Sequence, residues 1–289
     1  MQKTIKKYHK EAWISNAQRW AKYEPPLRPS KGEIKIIKDI LKKVKGNSKD
    51  WRKKALILGA TPEYRDLLAQ LKYQATIFDF NRDSVKSMTQ LLKYKGIKKE
   101  KLVLGNWLDN KLGPNVFDVV LADWSINNLP NFKSYNELFF NLKTIIKSDG
   151  FFVNRTNIWS DTEKSKSVKE IMKKYQKNKK EKFSFLQMLQ DYSNASPRNK
   201  KTFCTDLEKF YHINLPKAYK NKEMTDKEFY DFVLFFTQGK WRIKLFLTFP
   251  EKNKLEDLFK KYFEIISIKY GRDYLYSKHE PIYCLKPKK

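Results

Sequence analysis

Two hydrophobic periods alternate along the middle of the chain. A short apolar run at residues 55–58 is closed by Gly59, and leucines at helical spacing follow it before a second apolar run at 75–80. Short continuous runs of this kind are typical of buried strands, whereas the leucine spacing is typical of a helix packed on a sheet. The segment 55–79 therefore predicts a β-α-β unit.

The turn between the first strand and its helix has its own local signals. Gly59 can adopt backbone angles that a residue with a side chain resists, so we place the turn there. Thr61 is a favourable N-cap, and Pro62 suits the first helical position because its missing N–H has no intrahelical partner to lose. The helix is expected to begin at Pro62.

The alternation continues towards the middle of the chain. Three further strands are expected: one ending near Gly105, one from residue 117 that ends at Asp123, and one at 148–156; the intervening helices are expected at about 83–95, ending at Gly96, and at about 135–147. Strands that alternate with helices build a doubly wound, mostly parallel α/β sheet.

The C-terminal part departs from this alternation. After an expected strand at 241–250 and a helix at about 252–262, two strands within 262–274 and 280–287 are separated by a link too short for a helical crossover. Strands joined in this way pair antiparallel. A parallel sheet that ends in an antiparallel pair differs from the all-parallel dinucleotide folds.

The domain organisation follows from the same pattern. We expect an N-terminal helical cap at 1–50, with Trp13, Trp20 and Tyr23 leading into the proline-rich segment 25–30, and an α/β core made of 51–156 and 241–289. Residues 157–240 are lysine-rich and break the alternation. They are interpreted as a helical insertion that covers the substrate.

The carboxyl ends of the strands are the expected ligand edge. In open parallel sheets ligands bind there, and an acid about 20 residues beyond the first turn commonly accepts hydrogen bonds from ribose hydroxyls. Gly59 and Asp79 satisfy this spacing. The turn has one glycine instead of the G-x-G-x-x-G pattern, which disfavours a pyrophosphate and favours a nucleoside ligand such as S-adenosylmethionine. The alternative is a β-α-β unit that binds no cofactor.

Four segments together resemble the class I S-adenosylmethionine-dependent methyltransferases. They are "LILGATPE" at 56–63, "IFDFN" at 77–81, "GNWLD" at 105–109 and "FDVVLADWSINNLP" at 117–130. The resemblance implies a Rossmann-like fold with five parallel strands, a C-terminal antiparallel pair and helices on both faces. It also implies that S-adenosyl-L-methionine is the cofactor and that the residues around it are Gly59, Ala60, Thr61, Asp79, Phe80, Asn106, Trp107, Asp123 and Trp124.

The family's roles can be carried over position by position. Asp79 matches the ribose acid, and Asp123 with Trp124 matches the segment that faces the methionine end of the cofactor. Asn106 stands where the family usually has an acid beside the adenine, and its amide can still accept or donate there. Trp107 is either an adenine neighbour or a core residue.

Composition adds a clue about partners. The 289 residues include 61 Lys and Arg against 32 Asp and Glu, a formal charge of +29 that should attract polyanions. The basic residues are mainly scattered lysines, which are not the forked donors preferred for reading nucleic acid. A small-molecule acceptor is favoured because the sequence has neither the Asp/Asn-Pro-Pro-aromatic run nor a Pro-Cys nucleophile for pyrimidines. The alternatives are an RNA-directed methyltransferase, suggested by the net charge, and a non-catalytic cofactor-binding protein, suggested by the single glycine and Asn106. The acceptor and the oligomeric state are not assigned by the sequence.

The remaining candidates concern chemistry and location. Cys204 and Cys284 have no C-x-x-C partner, so no metal site is indicated, and the absence of any run of roughly 18 apolar residues argues for a cytoplasmic protein without a membrane span. Methyl transfer from a sulfonium needs mainly positioning, so no catalytic residue is assigned. His279 is the best candidate for a base, and Arg155 would meet either an acidic substrate or a surface carboxylate. The sequence also lacks the Asp/Asn-Pro-Pro-aromatic run used on amino groups.

Overall fold

The structure is a computed structural model that describes part of the chain. The described residues are 20, 23, 25–44, 53–94, 100–109, 112–158, 170, 173, 215–222, 225–226, 250–274 and 277–288. The helix expected before residue 20, nearly all of the insertion at 157–240 and the strand expected at 241–250 lie outside these residues, apart from Pro250 and a few short pieces.

The described elements follow one another in the expected alternation. The strands are β1 (Lys54–Leu58), β2 (Gln74–Asp79), β3 (Lys101–Leu104), β4 (Phe117–Asp123), β5 (Ile146–Arg155), β6 (Phe263–Lys269) and β7 (Ile282–Pro287). The helices are α1 (Lys31–Lys43), α2 (Pro62–Gln70), α3 (Arg82–Thr89), α4 (Phe132–Ile145), α5 (Leu215–Lys220) and α6 (Lys252–Tyr262). The order therefore matches the β-α-β pattern read from the sequence.

The strands form a seven-stranded sheet in the order β3-β2-β1-β4-β5-β7-β6. Strands β1 to β5 pair parallel with one another. Strand β7 pairs antiparallel with both β5 and β6. Parallel pairing of β1 and β4 makes the chain return across the sheet, and ligands bind at such switch points. The expected antiparallel end of the sheet is confirmed.

Successive residues of each strand enter opposite cores. Leu56 lies on the face covered by α4 and α6, which we call the first face, and its neighbour Ile57 lies on the face covered by α1, α2 and α3, the second face. A strand buried on both sides needs a continuous apolar run, which is the pattern that β1 and β4 carry.

Several boundaries differ from the sequence-based expectation. The helix expected at about 83–95 is α3, which ends at Thr89. The chain leaves the helix after this residue because the carboxylate of Asp66 accepts hydrogen bonds from the backbone N–H groups of Lys93 and Tyr94. Helix α4 begins earlier than expected, at Phe132, because the side chain of Asn131 accepts the N–H of Ser134. Within the described ranges no helix is long and apolar enough to cross a membrane.

Candidate functional site

The predicted site residues lie in one row at the carboxyl edge of the sheet. Leu58 is the last paired residue of β1, so the next residue, Gly59, stands level with Asp79 at the end of β2 and with Asp123 at the end of β4. Asp123 in turn pairs with Arg155, the last residue of β5. Three candidates widely separated in sequence therefore lie level with one another at the same edge of the sheet.

The turn after β1 depends on Gly59. Its φ is +100°, a conformation that residues with a side chain rarely adopt, and its N–H donates to the carbonyl oxygen of Phe78 at 2.9 Å. A Cβ built on Gly59 would lie 3.9 Å from Cζ2 of Trp107, so the space itself is open. The backbone angle, and not crowding, requires glycine here.

Thr61 occupies the N-cap position of α2, as expected, but its side chain makes no capping hydrogen bond. Its hydroxyl donates to Oδ2 of Asp123 at 3.1 Å, which ties the first turn to the end of β4. The position of the cap is therefore confirmed, and its side chain is bound to a carboxylate on a distant strand.

Asp79 is buried at the end of β2, with only 9% of its surface exposed. Its Oδ1 accepts the backbone N–H of Asn81 at 2.8 Å. Burial raises the pKa of Asp79 to about 6, and the backbone hydrogen bonds of Asn81 and Phe80 oppose this shift. The carboxylate is thus held in place but costly to ionise.

The residues that follow Asp79 and β3 flank the same edge. Phe80 is 52% exposed, a high value for a phenylalanine beside a crevice. Asn106 is exposed and its Oδ1 accepts the N–H of Leu108 at 3.0 Å, while the indole N–H of Trp107 donates to the carbonyl of Phe78 at 2.7 Å. Trp107 also packs against the first-face core, which confirms the core role considered for it, whereas its role as an adenine neighbour stays a prediction.

Arg155 is the centre of a buried charged cluster that the sequence did not predict. Its side chain is fully buried, and Nη1 lies 2.8 Å from Oδ1 of Asp123 while Nε lies 2.9 Å from Oε2 of Glu33. Nη2 donates to the carbonyl of Pro26 at 2.7 Å and lies 3.9 Å from Oε2 of Glu280. Arg155 therefore meets neither a surface carboxylate nor, in this arrangement, solvent.

The cluster changes the electrostatics of Asp123. Burial raises the pKa of Asp123 to about 6, and Arg155 opposes the increase through its charge and its hydrogen bond. The pKa of Arg155 is itself raised: burial lowers it, but the charges of Glu33 and Asp123 outweigh that effect. A guanidinium that remains charged in the interior needs such partners.

Trp124 follows Asp123 in a strained conformation. Its φ is +53°, in the left-handed region, and its indole N–H donates to Oε2 of Glu280 at 2.6 Å. Its backbone N–H donates to the carbonyl of Arg155 at 2.9 Å. Such strain persists where surrounding contacts fix the residue and is concentrated at functional sites.

The residues that sequence analysis missed are Glu33, Glu280 and Tyr64. The Ser-x-x-Glu spacing of Ser30 and Glu33 is a capping-box signal, and the structure shows that box, but this signal does not reveal the ion pair with Arg155. Tyr64 lies on α2 and is fully buried. Burial is the larger cause that raises its pKa, and the nearby charge of Asp123 raises the pKa further. These residues reach the site only through tertiary contacts.

The remaining candidates for chemistry are one histidine and two cysteines. His279 is buried in the short turn Ser277–His279, and its suggested role as a base stays a prediction. Cys284 is a buried free thiol whose pKa burial raises to about 11. Cys204 is outside the described residues, and among those that are described no group of three His, Cys, Asp or Glu side chains could hold a metal ion.

Comparisons with known proteins find likeness in structure only. No protein-family model matches the chain, and no curated protein matches its sequence. A structure described as "Putative Zn-dependent Alcohol Dehydrogenases" from Rhodobacter sphaeroides is 14% identical, with a TM-score of 0.54 over 97% of this chain and 99% of that one. The PH0226 protein from Pyrococcus horikoshii OT3 is 14% identical, with a TM-score of 0.51 over 93% and 99%.

A third similar structure is a SAM-dependent methyltransferase from Leishmania major, 12% identical, with a TM-score of 0.49 over 88% of this chain and 72% of that one. At such identities a likeness concerns the fold alone, and the descriptions attached to these structures differ. Taken with the sheet order, the comparisons show that the chain has a Rossmann-like class I fold, with a mostly parallel seven-stranded sheet and an antiparallel end.

Proposed function

We propose that the protein is an S-adenosylmethionine-dependent methyltransferase that acts on a small-molecule acceptor. The observation that carries this proposal is the row formed by Gly59, Asp79 and Asp123 at the carboxyl edge of the sheet. A glycine turn with a positive φ, a buried acid at the end of the neighbouring strand and a second acid across the switch point are the parts that a nucleoside with a charged tail requires.

The adenosine half of the cofactor would lie along β1 and β2. Asp79 Oδ1 already accepts one backbone N–H, and a carboxylate has further lone pairs that can accept ribose hydroxyls. The exposed ring of Phe80 offers a flat apolar surface beside it for the adenine, and the exposed amide of Asn106 can bond the adenine edge. These residues fit a nucleoside without a pyrophosphate.

The amino-acid half would lie towards Asp123. Arg155 donates to Oδ1 of Asp123, and Thr61 donates to Oδ2. Each oxygen has further lone pairs that can accept a hydrogen bond from an ammonium group. Because Arg155 stabilises the ionised form, Asp123 can remain an anion in a buried position. In this proposal Asp123 binds the ammonium group, as the resemblance implies, and Arg155 is an additional partner that the sequence did not suggest.

The reaction needs little chemistry from side chains. When bound, S-adenosylmethionine supplies a methyl group on sulfur, and the sulfur departs as a neutral thioether with the bonding pair as the acceptor lone pair forms the new bond. The chain's own contribution is to position the acceptor and to exclude water, which accounts for most of the rate in such displacements. A base is required only where the acceptor begins protonated.

A second candidate is a cofactor-binding protein of this fold without turnover. It is favoured by the indole of Trp107, which approaches the Gly59 turn, and by Asn106 at the position of an acid. Under this hypothesis the protein binds S-adenosylmethionine and S-adenosylhomocysteine but forms no product.

Two measurements test these proposals. Isothermal titration with S-adenosylmethionine and S-adenosylhomocysteine should show binding of both; no binding of either would refute the cofactor assignment. Mass spectrometry of metabolites and RNA from cell extract incubated with labelled methyl donor should show a labelled small molecule. Labelled RNA, together with RNA binding that weakens steeply with salt, would support the RNA-directed alternative instead.

A further inference from the structure

A short segment before α1 lies across the candidate site. We call residues 25–30 the strap. The chain there forms a turn and then leads into the capping box at the start of α1, where the side chain of Ser30 accepts the N–H of Glu33 and the carboxylate of Glu33 accepts the N–H of Ser30. Its contacts reach both sides of the row of site residues.

One side of the strap is held at the first turn of α2. The guanidinium of Arg28 pairs with the carboxylate of Glu63, four residues after Gly59. The indole N–H of Trp20 donates to the same carboxylate at 3.1 Å, and Nη1 of Arg28 donates to the carbonyl of Trp20 at 3.3 Å. Glu63 thus connects the strap to the helix that begins at the glycine turn.

The other side of the strap is held at the end of β5. Nη2 of Arg155 donates to the carbonyl of Pro26 at 2.7 Å, and its distance to the carbonyl of Arg28 is 3.5 Å. The same guanidinium binds Asp123 through Nη1. The strap and the acid at the end of β4 therefore share one buried cation.

The course of the strap follows from these two attachments. Strand β4 lies between β1 and β5 in the sheet, so a segment bound to Glu63 on one side and to Arg155 on the other passes the carboxyl end of β4. Asp123 ends that strand, and Thr61 beside it donates to Asp123. The strap thus lies next to the part of the row assigned to the amino-acid half of the cofactor.

The base of the strap is fixed to the segment that follows β6, the outer strand of the sheet. The carboxylate of Asp273 accepts the hydroxyl of Ser30 at 2.7 Å and the N–H of Gly32 at 2.8 Å. The backbones approach so closely that a Cβ on Gly32 would lie 2.6 Å from the carbonyl oxygen of Gly271. The segment is consequently held at three places along its length.

We propose that the strap is the wall of the cofactor site at its amino-acid end, and that Arg28 is a positioning residue that keeps this wall closed against α2. The inference rests on the proposed function and deepens it. It assigns recognition of the amino-acid tail, but not of the adenosine, to the N-terminal segment.

Two ligands separate the two ends of the site. S-adenosylhomocysteine carries both adenosine and the amino-acid tail, whereas 5′-methylthioadenosine carries the adenosine without the tail. Arg28→Ala should weaken S-adenosylhomocysteine binding about tenfold while changing 5′-methylthioadenosine binding less than about twofold, since a tenfold change corresponds to loss of a single good contact. Both affinities are measured by isothermal titration with the full-length protein.

A matched control is available in the same chain. Lys147 has the same side-chain exposure as Arg28, 24%, and pairs with Asp118 at the start of β4, on the amino edge of the sheet. Lys147→Ala should change neither affinity. Glu63→Gln gives a second variant that keeps the side-chain shape, and it should reproduce the selective loss; Arg28→Lys should restore part of the binding.

The outcomes distinguish the two levels of the argument. Failure of the wild-type protein to bind either ligand contradicts the proposed function itself. Binding of both ligands, with Arg28→Ala and Glu63→Gln weakening both equally or neither, leaves the cofactor site intact and overturns the role of the strap. Thermal unfolding of each variant identifies a folding defect. If Arg28→Ala has such a defect, the affinities of Arg28→Lys and Glu63→Gln decide whether the strap has the proposed role.

Discussion

Nη1 of Arg155 lies 2.8 Å from Oδ1 of Asp123, and both side chains are almost completely buried at adjacent strand ends. Glu33 from α1 contacts the same guanidinium from the other side. The position predicted to hold the charged end of the cofactor is thus part of the internal support of the fold. Binding and stability are therefore expected to be coupled at this point.

Replacing Arg155 should expose that coupling. Arg155→Gln leaves Asp123 and Glu33 buried without their cation, so the free energy of unfolding at pH 8 should fall by about 3 to 5 kcal/mol. The deficit should shrink as the pH falls towards 5, because protonation of Asp123, whose pKa is about 6, removes one of the uncompensated charges. Denaturant unfolding at several pH values measures both effects.

Arg65→Gln is the control for Arg155→Gln. Arg65 is also buried, but its carboxylate partner Glu100 is more exposed than those of Arg155. We expect a smaller loss that depends less on pH. Equal losses and equal pH dependence in the two variants would contradict the special role of the cluster around Arg155.

Asp79 should limit stability at neutral pH. Its pKa in the folded protein, about 6, lies above the ordinary value of 3.8, so the folded state binds this proton more tightly than the unfolded state does. Stability from this group is present at low pH and is lost as the pH rises through the interval from about 4 to 6. Asp79→Asn should therefore raise the free energy of unfolding at pH 8 by about 1 to 3 kcal/mol, with little change at pH 4.

Cofactor affinity should show the opposite dependence on the same group. Only the ionised carboxylate can accept both ribose hydroxyls, so S-adenosylhomocysteine affinity should fall as the pH drops below about 6. Titration calorimetry from pH 5 to 8 measures this. Asp79→Asn should bind about 1 to 3 kcal/mol more weakly at pH 8 and lose part of the pH dependence, while the pH dependence from Asp123, whose pKa is also about 6, remains. A wild-type profile retained by this variant would exclude Asp79 as its source.

The Gly59 turn should be needed for binding beyond its effect on folding. Gly59→Ala forces a side chain into a φ of +100° and should lower the free energy of unfolding by about 1 to 2 kcal/mol. Gly113, with a φ of +74°, lies in a turn away from the site and provides the control. Gly113→Ala should cost a similar stability but leave S-adenosylhomocysteine affinity unchanged, whereas Gly59→Ala should reduce it. Equal affinities would place the cofactor turn elsewhere.

A buried amide offers a test of the first-face core. Asn154 is fully buried level with Ala122 and Tyr283, and neither polar atom of its side chain has a hydrogen-bond partner among the described residues. Asn154→Leu should raise the free energy of unfolding by about 1 to 3 kcal/mol, because an unsatisfied amide is replaced by apolar surface of similar volume. Thermal and denaturant unfolding measure the change.

The control for Asn154→Leu is a satisfied amide. Asn127 is also fully buried, but its Oδ1 accepts the hydroxyl of Thr156 at 2.7 Å and its Nδ2 donates to the carbonyl of Asn157 at 2.9 Å. Asn127→Leu should therefore lower stability. If Asn154→Leu also lowers the free energy of unfolding, the prediction is wrong and the amide of Asn154 has a stabilising hydrogen-bond partner in solution.

Local patterns predicted much of the fold. The apolar runs of β1 and β4 and the leucines of α2 specify buried strands and an amphipathic helix because their periods are set by backbone geometry. The boundaries were less predictable. Helix α3 stops at Thr89 because Asp66, more than 20 residues earlier, accepts two later backbone N–H groups, a competition that no local period contains.

The candidate site divides in the same way. Gly59 and Asp79 could be identified because a parallel β-α-β unit fixes the spacing between the turn and the end of the next strand. The partners of Arg155 could not, since Glu33 and Glu280 are more than 120 residues away along the chain. The capping-box spacing of Glu33 predicts the start of a helix but not an ion pair. The hydrogen bond from the hydroxyl of Thr61 to Asp123 could not be predicted for the same reason, because the two residues are 62 apart along the chain.

The sequence by itself determined the α/β alternation, the antiparallel end of the sheet and the two residues that one β-α-β unit brings together. Only the tertiary structure decided that Asp123 shares a buried guanidinium with α1 and that the strap crosses its strand end. Short-range backbone geometry is written in the spacing of apolar residues, whereas the pairing of buried charges depends on which distant segments the folded core brings into contact.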